Sequence, residues 1–139
     1  MNQALPPLLR VSAAGCLAAS GALHAQLYLH GYRTIPGIGP AFLLQASGSL
    51  AVALLLLLSS AAVLRLAAAG LVAGALVGFI ASRTVGFLGF VEYGLQPAPQ
   101  ALISLLVETA TLGLLAVSLL ERRAGSFTTR ASTGRAEQT

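Results

Sequence analysis

The sequence contains no Lys, no Asp and no Trp, and it has a single Cys and a single Met. One cysteine excludes an intramolecular disulfide framework, and so few soft or acidic ligands disfavour a metal site. Charged residues make up 9% of the chain, against roughly 25% in soluble globular domains. The scarcity of charge therefore argues against an ordinary soluble domain, and an apolar content of 56% excludes disorder over most of the chain.

Long apolar runs are the main positive signal. A helix needs about 20 mostly apolar residues to cross a bilayer core, and four stretches qualify: residues 11–29, 41–64, 66–82 and 99–120. Only His24 and Glu108 are ionisable within them. Helices are expected because open sheet edges would leave backbone groups unpaired in lipid. A single helix over 41–82 would be about 63 Å long, twice the hydrocarbon thickness, so we expect a turn near Arg65.

These runs predict an all-α fold, a transmembrane four-helix bundle over residues 1–122. The polar, Ser/Thr-rich segment 123–139 is predicted to be a disordered cytoplasmic tail. A cleavable signal peptide ending after Ala22 would remove most of the first span, so we expect the first helix to be retained.

The arginines predict the orientation. In a four-span arrangement, one side of the membrane carries six of the eight arginines, which are Arg10, Arg65, Arg122, Arg123, Arg130 and Arg135. The other side carries Arg33 and Arg83. Because cytoplasmic loops are enriched in basic residues, both termini are predicted to be cytoplasmic. The charges lie singly between uncharged runs, so no nucleic-acid partner is predicted.

Glu108 is the strongest functional candidate within the spans. An ionised carboxylate near the middle of a span is costly unless it is paired or hydrated. At about 1.5 Å per residue, Glu108 and His24 lie about 3 Å and about 6 Å outside the midplanes of their helices, so a contact between them is possible. Gln45, Ser49 and Ser104 complete a predicted intramembrane polar site. A protonated Glu108 that only packs against a neighbouring helix is the structural alternative.

The two outer loops carry a second group of polar candidates, which are Tyr32, Arg33, Arg83, Glu92 and Tyr93. Arg33 and Glu92 lie on different loops, and we expect that they can pair across the outer mouth of the bundle, although exposed pairs contribute little stability. The apolar loop segment 83–96 is too short to span and is expected to lie in the interface or to fold over this mouth.

Small residues recur at every fourth position along the third span: Gly70, Gly74, Gly78, Ser82 and Gly86. Residues four apart share one helix face, and small ones let another helix approach closely. We favour packing within the bundle for this row. The alternative is a face for self-association or for a larger membrane partner.

Two segments resemble a known group of proteins. They are HGYRTIPGIGPAFLLQA (residues 30–46) and SRTVGFLGFVEYGLQPAPQALISLLVE (residues 82–108). Together they resemble uncharacterised small four-span integral membrane proteins of bacteria with GC-rich genomes, through the GYR-x-IP-x-IG loop and the SRTVG turn. The resemblance implies the four-span fold and a location in the plasma membrane of a bacterium, and it implies no reaction.

The leading functional hypothesis is a non-enzymatic, multi-pass membrane protein that acts as an assembly or accessory subunit. It rests on the glycine row and on the lack of nucleotide-binding and hydrolase motifs. The alternative is a small transporter or channel component that uses Glu108 and His24 to bind protons or a solute from the outer side. A third hypothesis is an outer-facing ligand site built on the loop residues. No cofactor is predicted, and the expected partners are the lipid bilayer and a homo-oligomer or larger complex.

Overall fold

Four α-helices and one short 3₁₀ helix make up the described part of the chain. The structure is a computed structural model, and it describes the backbone of residues 6–136 and the side chains of residues 6–120. The helices are α1 (Pro7–Leu29), α2 (Ile38–Leu58), α3 (Ala62–Arg83) and α4 (Gln100–Ala136), and the 3₁₀ helix Tyr32–Thr34 lies between α1 and α2. Pro7 at the first position of α1 suits a helix start, where no backbone N–H is needed.

All four helices contain a segment long and apolar enough to cross a membrane, over Pro7–Leu29, Ile38–Leu58, Ala62–Arg83 and Gln100–Leu120. The prediction of an all-α bundle of four membrane-length helices is thus confirmed, and the fold is compatible with a multi-pass membrane protein. Large apolar side chains cover the outer surface, with Leu58 75% exposed and Leu66 73% exposed. Such a surface suits a protein whose solvent is lipid rather than water.

The boundary between the second and third spans lies earlier than predicted. α2 ends at Leu58 and not at residue 64, because Ser59 is extended and α3 begins at Ala62. Arg65 therefore lies in the first turn of α3, and its Nη1 donates a 2.7 Å hydrogen bond to Ser60 O. The long side chain can reach back to the connection, so the turn need not coincide with the charged residue.

The backbone of α4 is helical from Gln100 to Ala136, and a disordered tail over 123–139 stays a prediction. No proline follows Pro99, and each further residue of an established helix adds a hydrogen bond at little cost in entropy. Residues 137–139 lie outside the described residues.

The two ends of the bundle differ in construction. We call the end that carries the 3₁₀ helix and residues 84–99 the loop end, and the end with the Ser59–Ala61 connection the short-turn end. A dry core of mostly small apolar side chains fills the half toward the short-turn end: Ala13, Ala14, Leu17, Ala53, Leu56, Ala68, Val72 and Leu115. The polar candidates lie toward the loop end.

A close contact between α1 and α2 involves a glycine outside the predicted row. A Cβ on Gly21 of α1 would lie 3.0 Å from Leu50 Cγ and 3.1 Å from Ala46 O of α2. By contrast, a Cβ on Gly70, Gly74 or Gly78 would meet no atom within 4 Å. Packing within the bundle therefore does not explain these three glycines. Of the other two members of the row, Ser82 is buried, and Gly86 adopts a positive φ of 84° in the loop after α3.

The segment after α3 folds back over the loop end. Leu88 and Gly89 both have positive φ, and they reverse the chain between Phe87 and Phe90, whose backbones exchange hydrogen bonds of 2.8 and 2.9 Å. Glu92 N then donates a 2.9 Å bond to Ser82 O, at the end of α3. This hairpin-like turn covers the mouth of the bundle, as one of the two expected arrangements predicts.

Candidate functional site: a carboxylate beneath an aromatic cap

Glu108 is enclosed by the helices and is only 2% exposed. Ser104, one turn earlier on α4, donates a 2.7 Å hydrogen bond to Glu108 Oε1. Ser20 of α1 donates a second bond of 2.9 Å to the same oxygen. Within residues 6–120, no hydrogen bond reaches Oε2. One carboxylate oxygen is therefore held by two hydroxyl groups, and the other has no protein donor there.

His24 lies one turn beyond Ser20 on α1 and borders the same carboxylate. Its Nδ1 donates a 2.9 Å hydrogen bond to Ser20 O, so the proton of the neutral ring lies on Nδ1. The same nitrogen is 3.9 Å from Glu108 Oε1, which is ion-pair range but longer than a hydrogen bond. A second proton, on Nε2, would put a positive charge beside Glu108.

The two candidates on α2 pair with each other. Gln45 Nε2 donates a 3.3 Å hydrogen bond to Ser49 Oγ, and Ser49 is fully buried. Gln45 also lines the cavity described next, together with His24, Ser104 and Glu108. Four of the five predicted intramembrane residues therefore line one cavity. The fifth, Ser49, does not line it but accepts the hydrogen bond from Gln45.

A cavity of about 270 Å³ occupies the loop-end half of the bundle. Residues of all four helices and of the folded-back loop line it, with Glu108 and Ser104 from α4 and His24 from α1. α3 contributes Gly74 and Gly78, whose missing side chains leave space on that wall. Aromatic side chains form much of the remaining lining. The cavity therefore joins a buried carboxylate to an apolar, ring-lined upper part.

Four rings, Tyr32, Phe42, Phe87 and Phe90, line the upper part, and we call them the aromatic cap. Phe42 stacks on Tyr32 with ring centroids 4.7 Å apart, and Phe90 meets Tyr32 edge-on at 5.9 Å. Phe42 also lies 5.1 Å from the His24 ring. A continuous line of ring contacts thus connects the mouth with the imidazole beside Glu108.

An ion pair links the end of α3 to the folded-back loop at the mouth of the cavity, above the aromatic cap. Arg83 Nη2 lies 3.3 Å from Glu92 Oε2, and the Tyr32 hydroxyl donates a 2.5 Å hydrogen bond to Glu92 Oε1. Arg83 Nε donates to Gly94 O at 2.9 Å, and its guanidinium lies 3.6 Å above the Phe79 ring. Arg83 therefore ties the folded-back loop to α3.

The Tyr32 phenol stays neutral well into the alkaline range. Burial raises its pKa far above the usual 10.0, and the hydrogen bond to the Glu92 carboxylate raises the pKa further, since ionisation would remove the donated proton. Tyr32 can therefore act as a hydrogen-bond donor to Glu92 throughout the physiological range.

Two of the predicted loop residues lie away from this network. The expected pairing of Arg33 with Glu92 is wrong, because Glu92 binds Arg83 and Tyr32 instead. Arg33 is exposed, and Tyr93 is 81% exposed. The backbone bond from Glu92 to Ser82 holds Glu92 beside the end of α3, where Arg83 is the nearest cation in sequence. Tyr32, Arg83 and Glu92 remain as mouth residues.

The site also contains Ser20 and Phe42, which the sequence analysis did not single out. The signal for Ser20 was its place in a polar row at helical spacing, with Cys16 and His24 on either side. Spacing alone does not tell which polar face meets a neighbouring carboxylate. Ser20 could therefore be identified only from the structure, which shows how α1 crosses α4.

The described residues 6–120 contain no group of three His, Cys, Asp or Glu side chains placed to hold a metal ion. The site thus comprises one buried carboxylate, two hydroxyl donors, an imidazole, an aromatic cap and a mouth bridged by Arg83, Glu92 and Tyr32. Comparisons of the chain with protein-family models, curated proteins and solved structures yield no match.

Proposed function

We propose that the chain is a small, non-enzymatic membrane protein that binds a solute in this cavity and passes it across the membrane, as a transporter or channel component. The observation that carries the proposal is that Glu108, at membrane depth and 2% exposed, borders a cavity of about 270 Å³. Intramembrane acids that line cavities are typical of substrate, ion and proton pathways. A buried acid used only for packing would not need such a space next to it.

The arrangement around Glu108 supports binding rather than packing alone. Ser20 and Ser104 both donate to Oε1, so two hydroxyl groups hold this oxygen in place. No donor within residues 6–120 serves Oε2. A solute with a hydrogen-bond donor or a positive charge would complete the hydrogen bonding of this group.

His24 is the proposed proton-carrying partner of Glu108. At 3.9 Å from Oε1, an imidazolium would compete with a bound solute for the carboxylate, and a neutral ring would not. Protonation of His24 on one side of the membrane would thus favour release there. The contacts of Glu92 with Arg83 and Tyr32 would have to separate for a solute to enter between these residues from the loop end.

An uptake screen that does not presuppose the identity of the solute tests the proposal. Proteoliposomes are incubated with an equimolar mixture of small cations, zwitterions, anions and neutral solutes, and the retained solutes are quantified by mass spectrometry. We expect at least one solute to be retained by the wild-type protein and by Ser47→Ala, an exposed serine that bonds only to its own helix. Glu108→Gln should not retain it. A screen in which no solute depends on Glu108 would contradict a transport role.

A second candidate is assembly with another copy or a larger membrane complex through α3. It is supported by the open space around Gly70, Gly74 and Gly78, and α3 is the least buried of the four candidate spans. Gly70→Leu tests it without altering the cavity lining, and Gly113→Leu, on an open position of α4, is the matched control. If α3 is the interface, only Gly70→Leu should reduce the oligomer mass in mild detergent. An equal mass for both variants would contradict it.

A further inference from the structure

We infer that the solute is a compact organic cation, whose ammonium group meets the Glu108 carboxylate and whose carbon substituents pack on the aromatic cap. This inference rests on the proposed function, because it names the chemical class of solute for the same cavity. The balance of charge, the nature of the lining and the size of the cavity each support it.

The charge of the cavity favours a cation. The ionisable side chains that line it are His24, Tyr32, Arg83, Glu92 and Glu108. Arg83 and Glu92 form an ion pair, and the Tyr32 phenol is neutral. Within residues 6–120, the Glu108 carboxyl group has no Arg in ion-pair range, and its one basic neighbour is His24 at 3.9 Å. A cation would pair with the Glu108 carboxyl group, whereas an anion would be disfavoured beside its oxygens.

The rings of the aromatic cap favour an organic ammonium over a hydrated metal ion. The faces of Phe and Tyr rings attract cations within about 6 Å of the ring centroid, and quaternary ammonium groups are the ligands such ring clusters commonly recognise. This chain already uses the interaction at the cavity wall, where the Arg83 guanidinium lies 3.6 Å from the Phe79 centroid. Within the cap, the Phe42 ring lies 5.1 Å from the His24 ring, whose Nδ1 is 3.9 Å from Glu108 Oε1.

The volume limits the solute. Ligand cavities for drug-sized molecules range from about 300 to about 1,000 Å³. The present cavity, at about 270 Å³, suits a cation of the size of tetramethylammonium or choline. A neutral solute of the same shape would fill the apolar part equally well, but it would leave the carboxylate without a counter-charge.

Calorimetric titration of the purified full chain in detergent micelles tests the inference. The probes are choline chloride, the neutral analogue of choline in which carbon replaces nitrogen, and sodium acetate. Choline should bind at least about tenfold more tightly than the neutral analogue, which corresponds to one charge interaction of about 1.4 kcal/mol, and acetate should not bind. Equal affinity for choline and its neutral analogue would overturn the inference.

Variants separate the charge from the rings. Glu108→Gln should weaken choline binding by about tenfold or more, and Phe42→Leu by about threefold or more. Phe42→Tyr keeps the ring and should bind like the wild type, which guards against a general folding defect in the Phe42→Leu variant. Ser47→Ala should also bind like the wild type. Unchanged choline affinity in both Glu108→Gln and Phe42→Leu would contradict the assignment.

The calorimetry and the uptake screen together distinguish the two proposals. If choline does not bind but an anion or a neutral solute is retained in a Glu108-dependent manner, the solute class is wrong and the transport role stands. If choline does not bind and no solute shows Glu108-dependent retention, both are wrong.

Discussion

Ser20 donates a 2.9 Å hydrogen bond to Glu108 Oε1, and this bond joins α1 to α4 in the half of the bundle that contains the cavity. The two residues are 88 positions apart, and both are buried. The bond therefore fixes the crossing of the first and last helices at the depth of the carboxylate. It also gives Glu108 a second hydrogen-bond donor, from α1, in addition to Ser104 of its own helix.

Removal of this hydroxyl should destabilise the bundle by a modest amount. Side-chain hydrogen bonds within membrane proteins average about 0.6 kcal/mol and reach about 1.7 kcal/mol, and the Ser20 bond is fully buried. Ser20→Ala should therefore lower the free energy of unfolding by about 1 kcal/mol, measured by unfolding in mixed micelles. Ser47→Ala is the control, because Ser47 is exposed and bonds to Leu43 O. Equal effects of the two substitutions would show that the Ser20 bond contributes nothing specific.

Two glycines on α1 should respond in opposite ways to the same substitution. A Cβ on Gly21 would lie 3.1 Å from Ser49 Cβ and from Ala46 O, closer than ordinary contacts, so α2 must shift. Gly21→Ala should cost about 1–3 kcal/mol, the usual range for overpacking. A Cβ on Gly15 would meet nothing within 4 Å, and alanine is the better helix former by about 1 kcal/mol, so Gly15→Ala should be neutral or stabilising. A stabilising Gly21→Ala would contradict the close α1–α2 contact.

The number of helices and their type were predictable because membrane-length apolar runs leave little choice of backbone structure. The end of α2 was not predictable to the residue, because the connection Ser59–Ala61 contains neither glycine nor proline. In such a segment, the position of the turn depends on how the helices pack and not on local propensity.

The depth of polar residues was easier to predict than their direction around a helix. Rise per residue puts His24 and Glu108 at similar depth, and the structure brings them to 3.9 Å. The partner of Glu92 depended instead on the turn at Leu88 and Gly89, which returns the chain to α3 and so to Arg83. The spacing of Gly70, Gly74 and Gly78 predicted a close helix contact, but spacing cannot specify which surface a row of small residues faces.

The raised pKa of Tyr32 predicts a specific feature of an alkaline titration. A difference spectrum between the wild type and Tyr32→Phe isolates the tyrosinate absorbance of this residue. That absorbance should appear only well above pH 10.0, because burial and the Glu92 hydrogen bond favour the neutral phenol. Since the folded-state pKa is raised, the stability that Tyr32 provides is complete below its unfolded pKa and declines as the pH rises through the folded value. A difference signal centred near pH 10.0 would contradict the buried hydrogen bond.

The distribution of arginines predicts which end of the bundle faces the cytoplasm. Single cysteines at exposed positions, introduced into a Cys16→Ala background, report the side of the membrane by reaction with an impermeant thiol reagent. Tyr93→Cys at the loop end should react in intact cells, since that side carries only Arg33 and Arg83. Ala61→Cys at the short-turn end, four residues before Arg65, should react only after the cells are permeabilised. The reverse pattern would place the mouth of Tyr32, Arg83 and Glu92 on the cytoplasmic side, and solute would then enter the cavity from the cell interior.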